Sequence, residues 1–255
     1  MEAAIPTGTL LALLLATART AAWLMVSPPF NGRAIPTTVK GMLALAIALP
    51  VLPGTSAHVP ELTTWSVVSG VVTQAIVGAG LGFLTALIFA AIQAAGDLLD
   101  VFGGFSMAFA FDPMSFSGNN SVLGRFYGML ATALLFVTDG HQIIIRGFTL
   151  SFEAVPLDHG LSLSTLGSLL TEGLGRMFLS AIMIAGPLIV VLFCADIGLG
   201  LLNRIAPALN PFAIGFPAKI GLTLLLVGSA MFLLPAAVRG TVQGAVEAMF
   251  KAMGK

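Results

Sequence analysis

The sequence predicts an all-α integral membrane protein built from six long hydrophobic helices in a single unit. Three observations carry that reading. The 255 residues are 57% hydrophobic and only 9% charged, whereas a soluble domain carries roughly 25% charged residues. The mean hydropathy is +1.02. Apolar runs near the ~20 residues needed to cross a bilayer recur along the chain, and between them no stretch is long enough for a separate soluble domain. A cytosolic enzyme, a disordered chain and a disulfide scaffold are thereby excluded. Nucleic-acid binding is disfavoured as well, because 11 Lys+Arg are cancelled by 11 Asp+Glu and form no basic run. The one cysteine, Cys194, cannot form an internal disulfide.

The spans fall at about 8–29, 38–53, 65–96, 122–150, 174–202 and 212–238. The first follows only Glu2, not the basic leader of a signal peptide, so it reads as a retained helix despite the small residues Ala16-Thr17-Ala18. The second is short and runs into Pro50 and Pro53, so its ends need shielding by protein. The third and fifth exceed one membrane thickness, which implies tilt, a kink or extension beyond the lipid. Three connections break the pattern: Val51 to Glu61, Gly103 to Asn120, and Phe152 to Ser164. With six crossings, five basic residues fall on each face, so no positive-inside preference orients the chain.

Within the third helix Gly78, Gly82, Ala86, Ala90 and Ala94 recur at four-residue spacing. Residues four apart lie on one helical face, so the face is smooth and admits another backbone closely. Packing inside this chain and packing against another subunit both fit. Between Phe102 and Phe116 there are five Phe and two Met, interrupted by Asp112-Pro113. Non-helical backbone cannot face lipid. These residues therefore form either a turn packed on their own bundle or a deformable constriction that closes a pore yet yields to passing cargo.

Charges inside apolar runs are costly and point to function by default. Arg19, Asp139, His141, Asp196, Arg204 and Lys219 are expected to be buried polar groups of that kind. Asp196 and Arg204 are two turns apart on one helix, so each needs a partner from elsewhere. Asp139 and His141 are a candidate relay or a structural contact. The three histidines lack metal-ligand spacing, and no zinc motif, nucleophile elbow or phosphate loop occurs. No catalysis and no cofactor are expected. The C-terminal stretch from Val238 reads as an amphipathic helix, with Arg239, Gln243, Glu247 and Lys251 opposite Val242, Val246, Met249, Phe250 and Met253. Lipid surface and protein partner suit it equally.

Several stretches, in order, resemble one family. They are Arg19 with Ser27-Pro28-Pro29-Phe30-Asn31-Gly32-Arg33-Ala34-Ile35-Pro36-Thr37-Thr38-Val39-Lys40, then Ala91-Ile92-Gln93-Ala94-Ala95-Gly96 with Gly104-Phe105-Ser106-Met107-Ala108 and Asp112-Pro113. Gly140-His141, Ser151-Phe152-Glu153-Ala154-Val155-Pro156, and finally Ala206-Pro207, Asn210, Phe212, Gly215-Phe216-Pro217, Lys219 and Gly221 complete the series. Together they resemble the FliR/SctT export-gate proteins of type III secretion, the flagellar branch more closely than the injectisome branch.

The resemblance implies a non-enzymatic subunit of the flagellar export gate, in the bacterial plasma (inner) membrane and the flagellar basal body. Its implied partners are FliP-like and FliQ-like subunits in a helical ring, FlhB-like and FlhA-like components, lipid, and unfolded flagellar cargo, with no nucleic acid. Residues 1–255 would then be one export-gate domain, FliP-like over 1–172 and a FliQ-like hairpin over 173–255. The loop at 102–120 would plug the closed gate through Phe105, Met107, Phe109, Phe111, Asp112, Pro113, Met114 and Phe116. The chain departs from the family at Gln74, where Glu is usual, at Leu99-Asp100-Val101-Phe102, at Ala208 and at Pro211. A secondary transporter or channel subunit is the alternative, although no inverted repeat is evident.

Overall fold

The computed structural model describes residues 6–32, 35–55, 59–105, 121–206 and 211–252. Among them there is no strand, and the helices are α1 (Thr7–Val26), α2 (Thr37–Ala48), α3 (Leu52–Thr55), α4 (Thr64–Gly103), α5 (Val122–Val137), α6 (Gly140–Ala154), α7 (Leu163–Ile205), α8 (Pro211–Ala230) and α9 (Leu234–Ala252). A 3-10 turn, Leu49–Val51, joins α2 to α3. The Val51 to Glu61 connection is therefore partly helical. Four stretches are long and apolar enough to cross a membrane (Thr7–Val26, Thr37–Thr55, Thr64–Gly103 and Ser164–Ile205), or up to six if two bent helix pairs count as one span each.

Two expected spans are broken, each for a readable reason. The run at 122–150 is interrupted at Asp139, which takes a left-handed φ of 56°. Short polar side chains tolerate that region, and the glycine that follows begins α6. The run at 212–238 turns at Met231–Leu233, because Pro235 has no N–H with which to continue the helix and instead opens α9. Two other helices are longer than expected. α4 has 40 residues and α7 has 43. At 1.5 Å per residue each reaches about 60 Å, twice the ~30 Å hydrocarbon core, so both extend past it.

The chain divides into two compact units. The first takes residues 1–88, 139–175 and 242–255, and the second takes 89–138 and 176–241. In the first, α1 is buried along Leu11, Leu15, Ala16, Trp23 and Leu24, beside Val77 and Leu81 of α4. Trp23 stacks on Phe148 of α6 at 4.4 Å, and Phe148 meets Phe152 edge-on. In the second, Ala91, Ile92, Ala95 and Leu99 of α4 are buried, as are Leu123, Tyr127, Ala131 and Leu135 of α5. Along α9 the amphipathic pattern is visible. Val238 and Val242 are buried while Arg239, Gln243 and Glu247 are exposed. Val246 lies against Gly147 of α6 within the first unit, so part of the apolar stripe is covered by the chain itself.

Candidate functional site

In the second unit, α4 ends where the Phe/Met-rich segment begins. Gly103 leaves room only for Thr223 of α8: a Cβ there would stand 2.7 Å from the Thr223 methyl. Gly104 adopts a φ of +84°, which L side chains rarely take, and Phe216 and Lys219 of α8 flank it at 3.5 and 3.7 Å from where its Cβ would stand. Thr223 donates its hydroxyl hydrogen to the Lys219 carbonyl at 2.8 Å. Phe105 follows and is half-buried. Met107, Phe109, Phe111, Asp112, Pro113, Met114 and Phe116 lie outside the described residues.

At Ser121 the chain is tied back to α4. The Ser121 hydroxyl accepts from Gly124 N–H at 2.8 Å, capping α5, and donates to the Asp100 carboxylate in a short bond. Both Asp100 oxygens are 3.2 Å from the Leu123 N–H. A carboxylate at a helix N-terminus is favoured by the orphan N–H groups and by the dipole. The close crossing depends on Gly96, where a Cβ would fall 2.5 Å from the Leu123 carbonyl oxygen. Ser121 before an apolar run is an N-cap signal visible in the sequence; Asp100 as its anchor is not. Asp100→Ala is expected to lower stability by about 1–2 kcal/mol, the size of a lost cap, with Asp100→Asn recovering part of it. Chemical denaturation of the purified protein in detergent measures both, and equal midpoints for Asp100→Ala and the parent would dismiss the tie.

The same unit pairs Lys219 with Asp196. The ammonium lies 2.6 and 2.8 Å from the two carboxylate oxygens, across α7 and α8. Asp196 thus finds on α8 the partner that its own helix does not supply. Arg204 differs from the expectation of a buried group: it is exposed in the last turn of α7, where a cation suits the helix C-terminus.

In the first unit Arg19 is completely buried. Its Nε donates to Gln74 Oε1 at 2.6 Å, and its terminal nitrogens donate to the carbonyls of Ser151 at 3.3 Å and Val155 at 2.8 Å. The guanidinium also lies 4.4 Å over the Phe152 ring. Every acceptor is neutral. The carbonyls come from the C-terminal end of α6, so the negative end of that helix faces the cation. Gln74, itself fully buried, donates its amide hydrogens to the carbonyls of Leu157 at 3.0 Å and His159 at 3.2 Å. A glutamate here would pair with Arg19 but could donate to neither carbonyl.

Asp139 is exposed rather than buried, because it sits in the turn before α6, where it accepts from the Gln142 side chain at 3.1 Å. His141 is half-buried. Of the small-residue ridge, Gly78 and Gly82 face α1: their Cβ positions lie 2.1 Å from the Arg19 carbonyl oxygen and 2.9 Å from that of Trp23. That part of the ridge serves packing inside the chain, since α1 already occupies it. Ala86, Ala90 and Ala94 are half-buried. Among the described residues no three His, Cys, Asp or Glu side chains are gathered to hold a metal ion.

Against known proteins, residues 10–245 match the family described as bacterial export proteins, family 1. The chain is 33% identical over 217 residues to the flagellar biosynthetic protein FliR of Pectobacterium carotovorum subsp. carotovorum, covering 85% of this chain and 83% of that one. It is 32% identical to FliR of Escherichia coli (strain K12), covering 84% and 81%. It is also similar, at 26% identity over 82% of its length and 79% of the relative's, to the surface presentation of antigens protein SpaR of Salmonella typhimurium.

Proposed function

Because the chain belongs to the bacterial export proteins of family 1, the FliR/SctT family, we propose that it is a structural, non-enzymatic subunit of the flagellar type III export gate. The match over residues 10–245 carries this reading. In it the chain sits in the bacterial inner membrane within the flagellar basal body. It assembles with FliP-like and FliQ-like subunits, near FlhA-like and FlhB-like components, around a channel for unfolded flagellar proteins.

The two-part division, FliP-like over 1–172 and FliQ-like over 173–255, belongs to the same proposal. A face of α7 bearing Phe178, Ile182, Val190, Phe193, Ile197 and Leu201 is exposed on the chain and suits apolar helices of neighbouring subunits. The segment from Phe105 to Phe116 plugs the closed channel by dewetting. Support for this comes from its Phe and Met content and from the way its flanks are held, by Thr223 beside Gly103 and by Asp100 on Ser121.

The direct test is affinity purification of the tagged full-length chain from its native host in mild detergent, with the co-purifying proteins identified by mass. Recovery in a large complex with FliP-like and FliQ-like subunits is expected. A stable lone monomer or homodimer would overturn the proposal in favour of a transporter. The plug has its own readout. Replacing Phe105, Met107, Phe109 and Phe111 together with glycine is expected to make cells or proteoliposomes carrying the assembled gate leak ions, and an unchanged membrane conductance would remove the plug while leaving the gate reading intact.

A further inference from the structure

The last third of α4 carries a carboxylate that the chain itself leaves without a counter-charge. Ala90, Ala94, Asp97 and Val101 are spaced four, three and four residues apart, so they share one face of the helix. In the second unit that face is open: Ala90, Ala94 and Asp97 are half-buried and Val101 is exposed. Opposite it Ala91, Ala95 and Leu99 are buried. Asp97 leans onto α5, where a Cβ at Gly124 would overlap its Oδ1. That oxygen is shut off from solvent and has no hydrogen-bond partner. Asp97 enters no ion pair among the described residues, whereas Asp100, one turn on, is held by Ser121 and the Leu123 N–H.

Along Thr64–Gly103 the helix is apolar enough to cross a membrane, and a carboxylate in such a helix is costly unless it is paired. The face itself says what pairs it. Alanines four apart let another helix backbone approach closely, and burying Val101 is favourable against an apolar surface. A neutral donor would bond one oxygen but leave the negative charge unbalanced, so covering Asp97 requires a cation. Arg19 and Lys219, the cations deep in apolar helices of this chain, already hold acceptors, which points away from a second copy. We propose that this face receives an apolar helix of a different subunit, and that a lysine or arginine of that helix pairs with Asp97. The proposal rests on reading the chain as one subunit of an assembly. It divides the small-residue ridge: Gly78 and Gly82 serve α1, while Ala90 and Ala94 serve the visiting helix.

The tagged full-length chain, with photoreactive p-benzoylphenylalanine in place of Val101, is illuminated in its native host and purified in mild detergent. Cross-links are then mapped by peptide mass spectrometry. The expected cross-link is to an apolar helical segment of another polypeptide that contains a lysine or arginine. Asp97→Asn removes no bond within the chain, so the yield of protease-resistant chain should not change. Recovery of the cross-linked polypeptide should nevertheless fall by at least roughly ten-fold, because its buried cation would lose its counter-charge. Asp97→Arg should abolish recovery, and replacing the mapped cation with aspartate should restore it. Recovery with Asp97→Asn equal to the parent's would overturn the proposal, since a neutral donor, a proton or water would then suffice. So would a cross-link to lipid, to a second copy of this chain or to a segment without a cation. A fall in the yield of the Asp97→Asn chain itself would place the role of Asp97 inside the chain and overturn it too. A parent that purifies alone sinks the assembly reading and this proposal with it, whereas a parent that brings down FliP-like and FliQ-like subunits but is indifferent to Asp97 sinks this proposal alone.

Discussion

Replacing Gly78 with leucine is expected to leave little or no folded chain, before any question of assembly arises. The Cβ of any residue at 78 would stand 2.1 Å from the carbonyl oxygen of Arg19 and 2.9 Å from its carbonyl carbon. These are backbone atoms, which cannot rotate away as a side-chain tip can. The two helices would have to separate by over an ångström, against interior packing that tolerates small volume changes poorly. Overpacking typically costs ~1–3 kcal/mol where side chains can adjust; against fixed backbone the cost exceeds that range, and the displaced α1 carries Arg19 away from its acceptors.

Gly78→Ala should already be strongly destabilising, and Gly82→Leu, facing the Trp23 backbone at 2.9 Å, somewhat less so than Gly78→Leu. Gly175→Ala is the control, since nothing lies within 4 Å of its Cβ position. The measurement is the yield of protease-resistant full-length protein extracted in mild detergent. Parental yield of Gly78→Leu alone, with its partners then missing from the complex, would return the ridge to the status of a subunit interface.

Arg19→Leu is the second large effect. Gln74 Oε1 and the Val155 carbonyl lose their donor, while the Ser151 carbonyl keeps the bond from Val155 N–H. Two buried acceptors left unpaired cost roughly 1–3 kcal/mol each. Removing a buried charge offsets part of this, but that charge is already balanced by carbonyl dipoles and an aromatic face, so the unpaired acceptors dominate. A net loss of ~2–4 kcal/mol is expected, read as a lower unfolding midpoint in detergent. Arg19→Lys should fall between, because one ammonium replaces a planar fork that reaches three acceptors.

Gln74→Glu separates geometry from charge. It supplies an anion for Arg19 but leaves the Leu157 and His159 carbonyls without donors, so it should lower the midpoint less than Arg19→Leu does. A midpoint for Arg19→Leu equal to the parent's would dismiss a stabilising role for the Arg19 bonds to Gln74 and Val155.

Much of this was open to sequence reading. Arg19 stands out as a lone cation in an apolar run, and the four-residue recurrence of small residues marks a smooth face. Neither pattern names the other side of the contact. The ridge at Gly78 and Gly82 meets α1, an element 55 or more residues earlier, and spacing along α4 is the same whether the visitor is α1 or another subunit. At Asp139 the apolar runs on either side read as a single span over 122–150 with the carboxylate buried in it, and the break was missed. An aspartate followed by glycine is a turn signal, and it outweighs the apolar run on either side. Ser121 could be recognised as a cap, whereas Asp100, 21 residues away, became its partner only through the α4–α5 crossing.

What the sequence determined by itself is the class: a membrane protein made of helices, with its family and the approximate runs. Hydrocarbon cannot hydrogen-bond to backbone, so apolar runs of this length must close their own ladders as helices, and composition alone reveals them. Which polar groups meet was decided by the tertiary structure. Arg19 finds Gln74, Ser151 and Val155 at separations of 55, 132 and 136 residues, and Lys219 finds Asp196 across two helices. Such partners are selected by distance in space once helices have packed, and local periodicity carries no information about distances between elements.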